Sequence, residues 1–319
     1  MPAHYDGLMK ILVPNSFELS LDLDAEVVEY DIRADIPAEH ADADVLVVWG
    51  NQNDQLASAA KTLTQVRLVQ TLMAGADAVV NAGFRDEAIL ASGVGMHDKT
   101  VAEHALALTL ALVRKLPMLH QAKADHRWAW EISGRQPLNT KPVTTLIGTD
   151  VLLWGFGSIA KSLAPLLTSL GANVKGAARS AGERDGYEVV AEDSLADELA
   201  KTDILVMILP DTPATEKALD AEKLAQLPDH AFVVNVGRGR TVDEEAFVKA
   251  LTDGVIAGAA VDVTAVEPLP EDSPMWDAPN LIISPHAAGG RPIGADALVT
   301  EQVRALEAGT ELRNVAARS

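Results

Sequence analysis

Cysteine is absent from all 319 residues. That excludes disulfides, thiolate metal sites and a cysteine nucleophile, and it fits a reducing cytoplasm. Positive charge is scarce. Lysine and arginine number 26 against 46 aspartates and glutamates, for a net charge of −20. A surface of that sign opposes nucleic acid and anionic membranes, because phosphate groups need cations. No apolar run is long enough to span a bilayer. The longest, Val101–Leu116, carries Glu103 and His104 near its start and reads as a buried helix. Met1–Asp6 lacks the basic region and apolar core of a secretory leader. No histidine or acidic spacing suggests a metal site, and none is expected. His120 and His126, for example, stand too far apart for one helical face.

What is present is an alternation of strand and helix patterns. A hydrophobic share of 48% suffices for substantial cores, and the length suits two domains. Ile11–Pro14, Val45–Trp49 and Arg67–Leu72 read as buried strands, each followed by turn residues. Thr100 and Glu103 form a capping-box pattern that predicts a helix start. That helix is apolar nearly all round, as befits one lodged between layers. Residues 125–150, with Trp128, Trp130, Pro137 and Pro142, read as an irregular excursion. The two tryptophans suit a subunit interface or local packing equally.

From Val151 the rhythm is clearer. Strands are predicted at Val151–Trp154, Val174–Ala177, Ile204–Leu209, Phe232–Val236, Ala257–Val261 and Leu281–Ser284. Helical patterns lie between them, and Thr241 with Glu244 makes a second capping box. A last amphipathic helix is predicted over Ala295–Ala308. The pattern implies α/β structure with a doubly wound parallel sheet.

The stretch Val151-Leu152-Leu153-Trp154-Gly155-Phe156-Gly157-Ser158-Ile159-Ala160 runs from a strand through a glycine turn into a helix. Gly155 permits the tight turn. Gly157 lets phosphates approach the backbone. Ala160 is small enough for helix and strand to pack closely. The N–H groups at Ser158 and Ile159 open the helix, where a pyrophosphate would sit. The next strand of such a unit usually ends in an acid that accepts from the ribose hydroxyls. Here that position is Ala178, followed by Arg179 and Ser180. Space and donors for a 2′-phosphate predict NADP(H) in preference to NAD(H). The alternative is a solvated Arg179 and use of NAD(H).

Three later stretches put reactive side chains beyond strand ends. They are Asn235-Val236-Gly237-Arg238-Gly239, Asp262-Val263-Thr264-Ala265-Val266-Glu267-Pro268 and Ser284-Pro285-His286-Ala287-Ala288-Gly289-Gly290. Together with the glycine turn, Ala74-Gly75-Ala76-Asp77, Val101-Ala102-Glu103-His104 and Leu209-Pro210 with Thr212-Pro213, they run in the order found in one family. The chain resembles the D-isomer-specific 2-hydroxyacid dehydrogenases, which include phosphoglycerate dehydrogenases and glyoxylate/hydroxypyruvate reductases.

The resemblance implies roles. Arg238 would bind the substrate carboxylate and polarise its α-oxygen. His286 would exchange a proton with that oxygen, and Glu267 would orient and charge the imidazole. Asp262 matches a position near the nicotinamide carboxamide. Main-chain N–H groups at Ala74 and Gly75 would hold the substrate carboxylate. A Rossmann domain over 100–286 and a smaller flavodoxin-like α/β substrate domain over 1–99 and 287–319 are implied, with closure that excludes water. A homodimer acting on a small 2-oxoacid is expected, with feedback control through an appended domain not expected. NAD-linked oxidation of a D-2-hydroxyacid is the alternative, and a dinucleotide-sensing corepressor a more distant one. Thr264 replaces a frequent aromatic, and Arg291 faces either solvent or an anionic substrate.

Overall fold

A computed structural model describes residues 8–137 and 140–317. Met1–Asp6, which lacks the pattern of a secretory leader, lies outside them. The chain divides into two compact units, Met1–His97 with Arg291–Ser319, and Asp98–Gly290.

The first unit holds five parallel strands: β1 (Met9–Pro14), β2 (Ala25–Tyr30), β3 (Val45–Val48), β4 (Leu68–Thr71) and β5 (Ile89–Ala91). Their order is β2-β1-β3-β4-β5, the flavodoxin-like arrangement. β3 and β4 are buried at every position, so both faces of the sheet must be covered. Leu46, Val48 and Val69 pack on one side with Leu56 and Ala59 of α1 (Asn53–Thr62) and Val79 of α2 (Asp77–Asn81). Val45, Val47 and Leu68 pack on the other with Leu298, Val299 and Val303 of the C-terminal helix Ala295–Ala308. β2 escapes prediction because Glu26 and Glu29 are exposed along it at the sheet edge.

The second unit holds β6 (Asp150–Trp154), β7 (Asn173–Ala178), β8 (Gly182–Arg184), β9 (Tyr187–Ala191), β10 (Ile204–Met207), β11 (Phe232–Asn235), β12 (Gly258–Val261) and β13 (Leu281–Ile283). The sheet order is β13-β12-β11-β10-β6-β7-β9-β8. Every pair is parallel except the β8–β9 hairpin. Alternate residues face opposite layers. Val151, Leu153, Val206 and Val234 meet Ala105 and Leu108 of α3 (Asp98–Val113) and Leu163 and Leu167 of α5 (Ser158–Ser169). Between these two helices in the chain lies α4 (Leu116–Ala124). Leu152, Leu205, Val233 and Ala259 meet Leu199 of α6 (Leu195–Leu199), Leu224 of α7 (Ala221–Gln226) and Phe247 of α8 (Glu244–Thr252). Chain order reverses between β6 and β10, and such a switch point opens a ligand crevice beyond the strand ends. Among the described residues no helix is long and apolar enough to cross a membrane.

Both expected capping boxes are corrected. α3 begins at Asp98, two residues before Thr100. The cap of α8 is Asp243, which accepts from the Ala246 N–H at 3.3 Å. Thr241 instead donates to the Arg238 carbonyl, and Glu244 accepts from the Ala265 N–H. The ammonium of Lys217, 3.0 Å away, holds the Asp243 carboxyl below its usual range. This contribution is complete above the ordinary carboxylate pKa and is lost as pH falls through the lowered value. Asp243→Ala is expected to cost about 1 kcal/mol in urea denaturation at neutral pH, and less in acid.

Candidate active site

The glycine turn is built by close packing. Gly155 has φ +102°, and a Cβ there would lie 2.5 Å from the Ile208 carbonyl oxygen. Phe156 is buried, its ring 5.9 Å from that of Tyr187 on β9. A Cβ on Gly157 would meet nothing within 4 Å, so the turn is open on that side. α5 then begins at Ser158 with no side-chain cap and no acid in its first turn. Uncapped N–H groups, the positive helix end and an open approach fit a pyrophosphate.

Ala178 ends β7, and Arg179 and Ser180 follow, both exposed. The structure adds a residue that the sequence reading missed. Arg184, on β8, donates to the Ser180 carbonyl at 2.9 Å, to the Ser180 hydroxyl at 3.1 Å and to the Phe156 carbonyl at 3.2 Å. Its guanidinium thus joins the glycine turn to the Arg179–Ser180 turn. Asp98 was missed as well; it accepts from the Ser158 hydroxyl at 3.0 Å.

Arg238, Asp262 and His286 follow β11, β12 and β13, three neighbouring parallel strands. At ordinary strand spacing, the first and last are rooted about 10 Å apart. Arg238 is half-buried. Asn235 and Thr241 both donate to its carbonyl, at 3.2 and 2.6 Å. A Cβ on Gly239 would lie 1.9 Å from the Thr264 carbonyl carbon, so only glycine permits this approach. His286 has φ +52°, and its Nδ1 lies 2.7 Å from Glu267 Oε2. The other Glu267 oxygen accepts from the Thr264 N–H at 3.0 Å, which fixes the carboxylate. Glu267 and His286 side chains remain 38% and 40% exposed, open to a reactant.

Asp262, expected beside the nicotinamide, is only 1% exposed. Its Oδ1 accepts from the Ser284 hydroxyl at 2.5 Å and the Ala287 N–H at 2.9 Å, and Oδ2 accepts from the Ala288 N–H at 3.0 Å.

The remaining residues lie elsewhere. Ala74 and Gly75 occupy the loop between β4 and α2 in the first unit. His97 stacks on Trp49 at 5.5 Å, its Nε2 2.8 Å from the Leu72 carbonyl. Arg291 is exposed in the first unit. Trp128 and Trp130 are 70% and 76% exposed, their rings 6.0 Å apart. Trp128 lines a cavity of about 620 Å³ with Val113, Leu119, Ala122 and Ile132. No cluster that could hold a metal occurs among the described residues.

Comparison with known proteins gives this geometry its class. Residues 106–288 match the family model described as D-isomer specific 2-hydroxyacid dehydrogenase, NAD binding domain. A glycerate dehydrogenase of Methylorubrum extorquens is 30% identical over 244 residues, covering 75% of this chain and 74% of that protein. A glyoxylate/hydroxypyruvate reductase A of Serratia proteamaculans is 29% identical over 304 residues, covering 92% and 93%. Among solved structures, an NADPH-dependent glyoxylate/hydroxypyruvate reductase of Sinorhizobium meliloti, in complex with NADP and sulfate, superimposes with TM-score 0.81. It is 25% identical, over 98% of this chain and 99% of that one. Fold and relatives define an oxidoreductase that uses a nicotinamide cofactor. The chain belongs to the D-isomer specific 2-hydroxyacid dehydrogenase family.

Proposed function

We propose that this chain reduces a small 2-oxoacid, glyoxylate or hydroxypyruvate, at the expense of NADPH. The observation that carries the reading is the Glu267–His286 pair, bonded at 2.7 Å, two strands from Arg238. Gly155, Gly157, Ser158 and Ile159 would hold the cofactor's pyrophosphate. Bound there, the nicotinamide supplies the hydride. Arg238 grips the carboxylate with a planar fork and stabilises negative charge on the α-oxygen. Glu267 occupies Nδ1, so the proton passes from His286 Nε2 to that oxygen. In the first unit, the main chain at Ala74 and Gly75 serves substrate binding.

Arg179, Ser180 and Arg184 are assigned to the 2′-phosphate, in line with the NADPH dependence of the Sinorhizobium meliloti relative. The test is titration with NADPH and NADH in wild type and Arg179→Ala. The preference for NADPH should fall about 10- to 100-fold, the loss of one charged hydrogen bond. An unchanged preference would overturn the assignment. The Methylorubrum extorquens relative favours a second reading, oxidation of a D-2-hydroxyacid with NAD. Rates in both directions, measured with both cofactors on a panel of 2-oxoacids and 2-hydroxyacids, separate the two.

A homodimer is proposed through the face that carries Trp128 and Trp130. Exposed rings beside an apolar cavity suit burial against a second copy. Sedimentation of a Trp128→Ala, Trp130→Ala double variant should show a monomer. A dimer as tight as wild type would exclude this face.

A further inference from the structure

We infer that His104 is a positioning residue for the proton-donating loop. It acts on His286 through Ser284 and Asp262, and the inference rests on the reading of His286 given above. His104 lies on α3, outside every stretch assigned to chemistry. Its Nε2 is 2.9 Å from Ser284 Oγ and 3.2 Å from Asp262 Oδ1. The single hydroxyl proton of Ser284 goes to Asp262 Oδ1, at 2.5 Å. Ser284 can therefore only accept from His104, which places a hydrogen on Nε2. The imidazole thus donates into a buried carboxylate–hydroxyl pair.

That pair sets the shape of the loop. Asp262 accepts from the N–H groups of Ala287 and Ala288 through its side chain, and from His286 N at 2.8 Å through its carbonyl. His286 itself holds φ +52°, a conformation that a side chain other than glycine keeps only when its neighbours impose it. A carboxylate 1% exposed needs all its donors, since water cannot replace a lost one. α3 is a firm base for the outermost donor, because Val101, Ala105 and Leu108 anchor it in the core. His104 therefore acts as a strut, running from the helix through Ser284 and Asp262 to the backbone on either side of His286. Its removal leaves Arg238 and the substrate carboxylate in place but lets the proton donor drift.

The test compares His104→Leu with His104→Gln, whose amide nitrogen can stand where Nε2 stands. In the leucine variant kcat should fall about 10- to 100-fold, with KM for the 2-oxoacid little changed. Glutamine should restore most of the loss. In the cofactor-free protein labelled with 15N-histidine, the His286 imidazole signals should shift or broaden with leucine and return with glutamine. Full kcat and unaltered signals in His104→Leu would overturn the inference, as would equal losses in both variants. Should the leucine variant fail to fold, His104→Asn, whose shorter side chain cannot reach Ser284 or Asp262, removes the same donor. It should show the same fall in kcat, and wild-type turnover there would be equally fatal. His286→Asn is the control. Turnover surviving that change removes the proposed function itself, whereas its loss beside an unaffected His104→Leu removes only the strut.

Discussion

His286→Asn is expected to lower kcat for 2-oxoacid reduction by about 10²- to 10⁴-fold, with NADPH affinity near that of wild type. Asparagine can keep a hydrogen bond to Glu267, now 2.7 Å from Nδ1, but it cannot carry a proton to the substrate oxygen. Because the glycine turn and the Arg179–Ser180 turn lie on other strands, cofactor binding should be spared. Steady-state kinetics with fluorescence titration of NADPH checks both halves. Retained turnover would mean that the proton comes from elsewhere.

Arg238→Lys should reduce kcat/KM by about 10²- to 10³-fold, comparable to removal of an oxyanion donor. A lysine keeps the charge but loses the planar fork that can meet a carboxylate and an α-oxygen together. The backbone should be unaffected, since Asn235 and Thr241 hold it through the carbonyl of residue 238. Both KM and kcat should therefore suffer while thermal stability stays close to wild type. Kinetics on glyoxylate and hydroxypyruvate, together with a melting curve, checks this. A loss confined to KM would assign Arg238 to binding alone.

Much of the architecture was open to sequence reading because buried parallel strands are nearly uniform apolar runs. β3, β10 and β11 are buried at every position and were predicted to within a residue or two. β2, with exposed glutamates, and β5, only three residues long, offer no such run. The β8–β9 hairpin did leave a trace. Asp185-Gly186 is a turn signal, and both residues have positive φ, 51° and 83°. Residues at strand ends could be nominated from local motifs, which cover Arg238, Glu267 and His286. Contacts made at long range could not. Arg184 reaches Phe156 across 28 positions, Ser158 reaches Asp98 across 60, and His104 reaches Ser284 across 180. The capping boxes failed for a related reason. Thr241 and Glu244 have the right spacing, yet the Arg238 carbonyl, three residues back, takes the hydroxyl, and the N–H of Ala265, 21 positions on, takes the carboxylate.

A crystal structure with NADPH and oxamate, an unreactive mimic of a 2-oxoacid, puts the account to its hardest trial. The oxamate carboxylate should lie on the Arg238 guanidinium, and its amide oxygen within hydrogen-bond reach of both Arg238 and His286 Nε2. Oxamate bound away from these two side chains, with the imidazole turned from it, would contradict the proposed chemistry.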